Sequence, residues 1–70
     1  KINFQIAKQG NIKIAVYYIS GKEIMVLVNQ TFQPGLYETY FDGSQLTSGV
    51  YFYKLFADGF TETRKMLIVK

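Results

Sequence analysis

The sequence contains no cysteine, no histidine and a single proline. Without cysteine there are no disulfides and no thiolate metal ligands, and without histidine there is no imidazole ligand, no Ser–His nucleophile system and no ordinary pH switch near neutrality. Very little enzymology survives those two absences. The lack of cysteine fits a cytosolic protein and equally a secreted one held together by packing, so the compartment stays open. Charge is also sparse, with 8 Lys+Arg against 5 Asp+Glu and a net charge of +3. No run of like charge forms, and the only adjacent basic pair is Arg64-Lys65. The longest apolar run, residues 14–19, falls far short of the ~20 residues a transmembrane helix needs, so no direct membrane span is expected. Lys1 leads at once into the alternating Ile2, Asn3, Phe4, Gln5 and Ile6, which leaves no apolar core of a signal peptide. Internal repeats and low-complexity stretches are missing too.

What is present is apolar and aromatic. Hydrophobic residues make up 49% of the 70 positions, with 6 Tyr and 6 Phe, a composition too hydrophobic for disorder. One small domain is the limit at this length, because a chain near this size buries only ~60% of its unfolded surface. The start inside a strand reads as a domain cut from a longer protein.

The apolar residues recur at period two rather than 3.6, and β-branched and aromatic types dominate, so the chain reads as all-β. Strands are expected at about residues 2–7, 12–19, 23–28, 36–41, 50–57 and 60–69. Turns separate them. Lys8-Gln9-Gly10-Asn11 and Ser20-Gly21-Lys22 are polar and glycine-bearing, Pro34-Gly35 has the residues of a type II turn, and Asp58-Gly59 those of a type I′ hairpin turn. Short strands with turns about every 8 to 12 residues favour a sandwich or small barrel. In the fifth strand, Tyr51, Tyr53 and Leu55 should face the core and Lys54 solvent, since a one-residue slip would bury the ammonium group.

Three patterns could carry chemistry. Residues 49–56 interleave aromatics with Lys54 after Gly49, like the base-stacking strand of a nucleic-acid-binding sheet, but core packing and cross-strand pairs explain them as well, and scattered lysines offer no phosphate groove. The acids Glu23, Glu38, Asp42, Asp58 and Glu62 could in principle supply a catalytic pair. However, Asp42 and Asp58 precede glycines in turns, and the glutamates fall on or near strands as expected partners of lysine. Asn29-Gln30-Thr31 matches a glycosylation sequon, a motif common by chance. Pro34-Gly35-Leu36-Tyr37 and Ser48-Gly49-Val50-Tyr51 read as turns leading into strands, each followed by a tyrosine whose hydroxyl can pin the loop backbone.

Taken along the whole chain, the motifs resemble the C-terminal sorting domain of the type IX secretion system, type A, which has an Ig-like fold. The resemblance rests on the hairpin from Val16-Tyr17 through Gly21-Lys22 to Ile24, on Leu27-Val28-Asn29, on Pro34-Gly35-Leu36-Tyr37, on the block from Leu46 through Ser48-Gly49-Val50-Tyr51 to Leu55, and on the closing Lys65-Met66-Leu67-Ile68-Val69-Lys70. The chain departs from the family pattern in lacking the Pro-Asn-Pro-rich lead-in and in carrying Tyr18 where Asp or Asn is common.

The resemblance implies an Ig-like sandwich of six or seven antiparallel strands, without catalysis or cofactor, at the C-terminal end of a longer cargo protein of a Gram-negative bacterium. It implies passage through the periplasm, recognition by outer-membrane translocon and shuttle proteins, and delivery to the surface or medium, where a sortase commonly removes the domain. Under it, the translocon signal falls on Ser48, Gly49, Lys65, Met66, Leu67, Ile68, Val69 and Lys70, while Pro34, Gly35, Tyr37, Tyr51 and Gly59 are structural. The alternative is an Ig-like binding or structural module, for carbohydrate, single-stranded nucleic acid or a role like that of a flagellar hook cap.

Overall fold

A computed structural model describes residues 1–70. Six antiparallel strands form two sheets: β1 (Ile2–Ile6), β2 (Gly10–Tyr18), β3 (Glu23–Phe32), β4 (Gly35–Thr39), β5 (Gly49–Ala57) and β6 (Phe60–Ile68). The larger sheet has the order β3-β2-β5-β6, and β1 pairs with β4 in a two-stranded sheet over one of its faces. The fold is the all-β sandwich the alternation implies, with six strands.

Register decides which side chains lie between the sheets. Ile14 lies opposite Leu55 and Val16 opposite Tyr53; these residues share the inner face, because side chains directly across a ladder project to the same side. Ile2, Phe4 and Ile6 bury themselves against that face while Asn3 and Gln5 stay exposed. Phe4, Ile6, Ile12 and Ile14 form the core cluster, with Leu27, Val28, Phe32, Tyr37, Leu55 and Ala57 packed around it. Phe4, Phe32 and Tyr37 stack in a triad with ring centroids 4.7 to 5.7 Å apart.

The outer face of the large sheet is also covered, by its own cations. Lys54 projects from the outer face as expected but is half-buried like Tyr53 and Leu55, not free in solvent: its ammonium lies 5.0 Å from the centre of the Tyr17 ring, and that of Lys13 lies 5.6 Å from the centre of Phe56. Lysine stems on aromatic faces shield apolar surface while the charge stays near water. Tyr51 is buried and Tyr53 and Leu55 are half-buried on the inner face, as the alternation implies.

Four local expectations change. β3 runs four residues beyond residue 28 and β2 begins at Gly10, because residues 29–32 continue the ladder against residues 10–13 and Asn11 Nδ2 donates to Asn29 Oδ1. Strict alternation fails in β3 itself. The register steps from Ile14–Val28 to Ala15–Val26 and from Val16–Met25 to Tyr17–Glu23, leaving Leu27 and Ile24 as extra residues; such bulges let neighbouring side chains share a face, and Leu27 and Val28 both reach the core. The Asp58-Gly59 turn is not type I′, since Gly59 has φ 90° but Asp58 has no positive φ, and type I′ requires both. Nor is Pro34-Gly35 a type II turn: Gly35 has φ 155°, well beyond the value of about 80° such a turn needs at that position.

Candidate recognition site

β6 and the loop before β5 meet at one end of the sandwich. Gly49 pairs with Ile68, and beyond that pair the Lys70 backbone N–H donates to Ser48 Oγ at 3.0 Å while Lys70 Nζ donates to the Ser44 carbonyl at 2.6 Å. The loop is itself ordered: the Ser44 N–H donates to Asp42 Oδ1 at 3.0 Å, the Leu46 N–H donates to the Gly43 carbonyl at 2.9 Å, and Leu46 is buried. A Cβ on Gly43 would stand 3.1 Å from Ile68 Cδ1 and 3.3 Å from the Phe41 ring. No side chain fits there without displacement, so the glycine lets the loop close on the strand. The structure therefore joins Ser48, Gly49, Ile68 and Lys70 in one place, and it adds Asp42, Gly43, Ser44 and Leu46. For Asp42, Gly43 and Ser44 the sequence offers only an Asp-Gly turn, whereas Leu46 opens the block that runs to Leu55; Ile68 and Lys70, which Gly43 and Ser44 meet, lie more than twenty residues away.

The remaining residues of the terminal segment divide by face. Met66 lies opposite Tyr51, and Leu67 opposite Val50. Met66 and Ile68 are half-buried and turned inward, whereas Lys65 and Leu67 project from the outer face. Leu67 is 68% exposed and Val69 77%.

The loops feeding β4 and β5 use one device twice. Tyr37 Oη donates to the Gln33 carbonyl at 2.7 Å, and Tyr51 Oη donates to the Thr47 carbonyl at 2.7 Å. In each case the hydroxyl reaches four residues back, over a glycine two residues before the ring, and the two glycines have φ 155° and 156°. These are tyrosine corners: the aromatic ring packs into the sandwich while the phenol satisfies a loop carbonyl. Pro34 precedes one glycine and Ser48 the other, so the two motifs separated in the sequence are one structure in different dress. Gly59 serves elsewhere, at the β5–β6 turn.

The three glutamates of the chain are each engaged in an ion pair. Glu23 pairs with Lys13 and Glu38 with Lys1, each at 3.3 Å, and Glu62 accepts from Arg64 Nε at 2.8 Å. No three Asp or Glu residues gather where they could hold a metal. A groove of about 270 Å³ opens between β1 and β6, walled by Phe4, Ile14, Tyr53, Leu55 and Phe60 and rimmed by Glu62 and Arg64. No helix is long and apolar enough to cross a membrane.

Over residues 1–70 the chain matches the family described as secretion system C-terminal sorting domain. The chain belongs to this family, the sorting domains of type IX secretion. No curated protein and no solved structure matches it. A sorting domain of this kind is a non-catalytic signal. It implies fusion to an upstream cargo, interaction with the type IX machinery, and export across the outer membrane to the cell surface or beyond.

Within the sorting domain, the Asp42 carboxyl is held below its usual range, first by the hydrogen bond from the Ser44 backbone, then by the Ser44 side chain and by the positive charge of Lys70. A depressed carboxyl stabilises the fold above its unfolded value and loses that contribution as pH falls through the folded one. The loop closure should therefore persist at neutral pH and relax in acid below the ordinary carboxylate range. The Ser44 amide proton shift reports it: its titration midpoint is expected to lie below that of a free aspartate, and to vanish in Asp42→Asn. A midpoint at the ordinary value would show that the closure does not depend on this charge.

Proposed function

We propose that this domain sits at the C-terminal end of a longer cargo protein of a Gram-negative bacterium and directs that cargo, after passage through the periplasm, across the outer membrane by the type IX system. Its partners in that role are the outer-membrane translocon and its shuttle proteins, and a cell-surface sortase that separates domain from cargo. The observation that carries this reading is the family match across residues 1–70.

Recognition is assigned to Lys65, Met66, Leu67, Ile68, Val69 and Lys70 together with Ser48 and Gly49. Two facts support that placement. The terminal strand and the Ser48 loop are tied together through Lys70, so a partner meets them as one surface. Leu67 and Val69 are also exposed, although nothing in the sandwich requires apolar side chains there.

The test is a fluorescent reporter carrying an export signal at its N-terminus and residues 1–70 at its C-terminus, expressed in a type IX-competent cell. Surface display or release is expected. A reporter that folds, reaches the periplasm and stays there would remove the sorting function.

A further inference from the structure

We propose that the free edge of β6 is completed by an extended, acidic and apolar segment of a partner protein, which adds to the large sheet as a fifth strand. The proposal deepens the reading of β6 as the recognition strand and rests on it.

The two edges of the large sheet are built differently. β3 is interrupted by two register shifts against β2, and bulges of that kind twist an edge out of the plane and discourage further pairing. β6 has no bulge, and its charged residues, Glu62, Arg64 and Lys65, restrict which strand can join it and leave the backbone edge straight. It pairs with β5 through nine consecutive residues without a shift, from Gly49–Ile68 to Ala57–Phe60, it contains no proline, and no strand occupies its other side. Every second residue of such an edge offers its N–H and C=O outward. The edges of the small sheet are only five residues long.

Side chains along β6 refine the choice of partner. In its first half, Glu62 and Arg64 satisfy one another on the inner face. In its second half the outward residues are Lys65 and Leu67, followed by the exposed Val69. Ile19, 73% exposed, follows the Tyr18–Tyr51 pair at the same end of the sheet, so apolar surface continues beyond the strand.

The charge of the outer face gives the partner its sign. Lys13, Lys54 and Lys65 project from it, and its one carboxylate, Glu23, is already held by Lys13. A second copy of this chain would bring further lysines to the same face, whereas a strand carrying carboxylates meets Lys65 on the edge strand unopposed. Backbone pairing supplies the affinity in this mode, and the alternating side chains and charge supply the selection.

The test uses the isotope-labelled domain and three synthetic peptides: one alternating Val or Thr with Glu, the same peptide with Lys for Glu, and the acidic peptide N-methylated at alternate residues. The acidic peptide is expected to slow amide exchange at alternate positions of β6 by about tenfold or more. The N-methylated and basic peptides should fail to do so, and Lys65→Glu should reverse the preference between acidic and basic peptides. Equal protection by the N-methylated peptide, or protection on β3 in place of β6, would overturn strand addition. So would protection that needs no peptide and grows with protein concentration, which marks a second copy as the occupant, or equal protection by anionic phospholipid vesicles.

Reporter fusions separate this proposal from the sorting function. Loss of export in a folded Leu67→Asp fusion with no peptide protection at β6 would overturn strand addition and leave sorting intact. Peptide protection with normal export of both Leu67→Asp and Lys65→Glu fusions would instead overturn β6 as the strand read during export.

Discussion

Replacing Ile14 with alanine should unfold a large fraction of the domain under conditions where the native chain is folded. Ile14 has no exposed surface, lies in the middle of β2 between Val28 and Leu55, and joins the core cluster with Phe4 and Ile6 from the other sheet. Truncating a side chain in such a place removes its transfer free energy and leaves a cavity, together costing about 2–5 kcal/mol. A chain of this length has only about 4–10 kcal/mol in all, by the usual 0.05–0.15 kcal/mol per residue. The exposed Leu67 is the control, since its replacement by alanine should move stability by about 0.5 kcal/mol or less. Denaturant midpoints check the pair. If the two variants lost similar stability, the core would not be centred on β2.

Gly49→Val should be nearly as damaging, and by a different route. At φ 156° the backbone adopts a conformation that side chains disfavour, and a β-branched residue tolerates it least, at a cost of about 1–3 kcal/mol. The same backbone places the Tyr51 ring beside Gly49 and its hydroxyl on the Thr47 carbonyl. Losing that part-buried hydrogen bond adds about 0.5–1.5 kcal/mol. The expected result is a lowered denaturation midpoint and a reporter that disappears through proteolysis rather than accumulating as folded protein. A Gly49→Val domain as stable as the native one but blocked in export would make Gly49 a contact of the translocon and not a device of the fold.

How far the sequence discloses all this differs from strand to strand. In β1 one face is core and the other is exposed, so alternation reports Phe4 directly; β5 is at least half-buried on both faces, and there the lone Lys54 among aromatic and apolar residues marks the outward side and so Tyr51 the inward one. β3 has apolar residues at successive positions, and nothing local says that Leu27 is a bulge that joins Val28 in the core; only the partner strand fixes that. The turns expose the same limit. Asp58-Gly59 and Pro34-Gly35 are legible as chain reversals, but the signs and sizes of their φ angles are set by the strands they join and, at Gly35, by the Tyr37 hydroxyl. The recognition region is legible as a terminal motif because Lys65 through Lys70 are contiguous. Its division into inward Met66 and Ile68 and outward Leu67 comes from pairing with β5, and its closure by Asp42, Gly43 and Ser44 comes from contacts that span more than twenty residues of chain.

The pairing of β1 with β4 alone has a mechanical consequence. β1 and β6, the strands nearest the two ends of the domain, are not hydrogen-bonded to each other, so tension between the ends finds no shared ladder to resist it in shear. The load passes through core side chains and a ladder of five residue pairs between β1 and β4, whereas β6 is held to β5 by nine. The layers separate at the small sheet first. A pull transmitted from an N-terminal fusion is then absorbed by β1, and the four-stranded sheet keeps the edge of β6 in register while the load is applied.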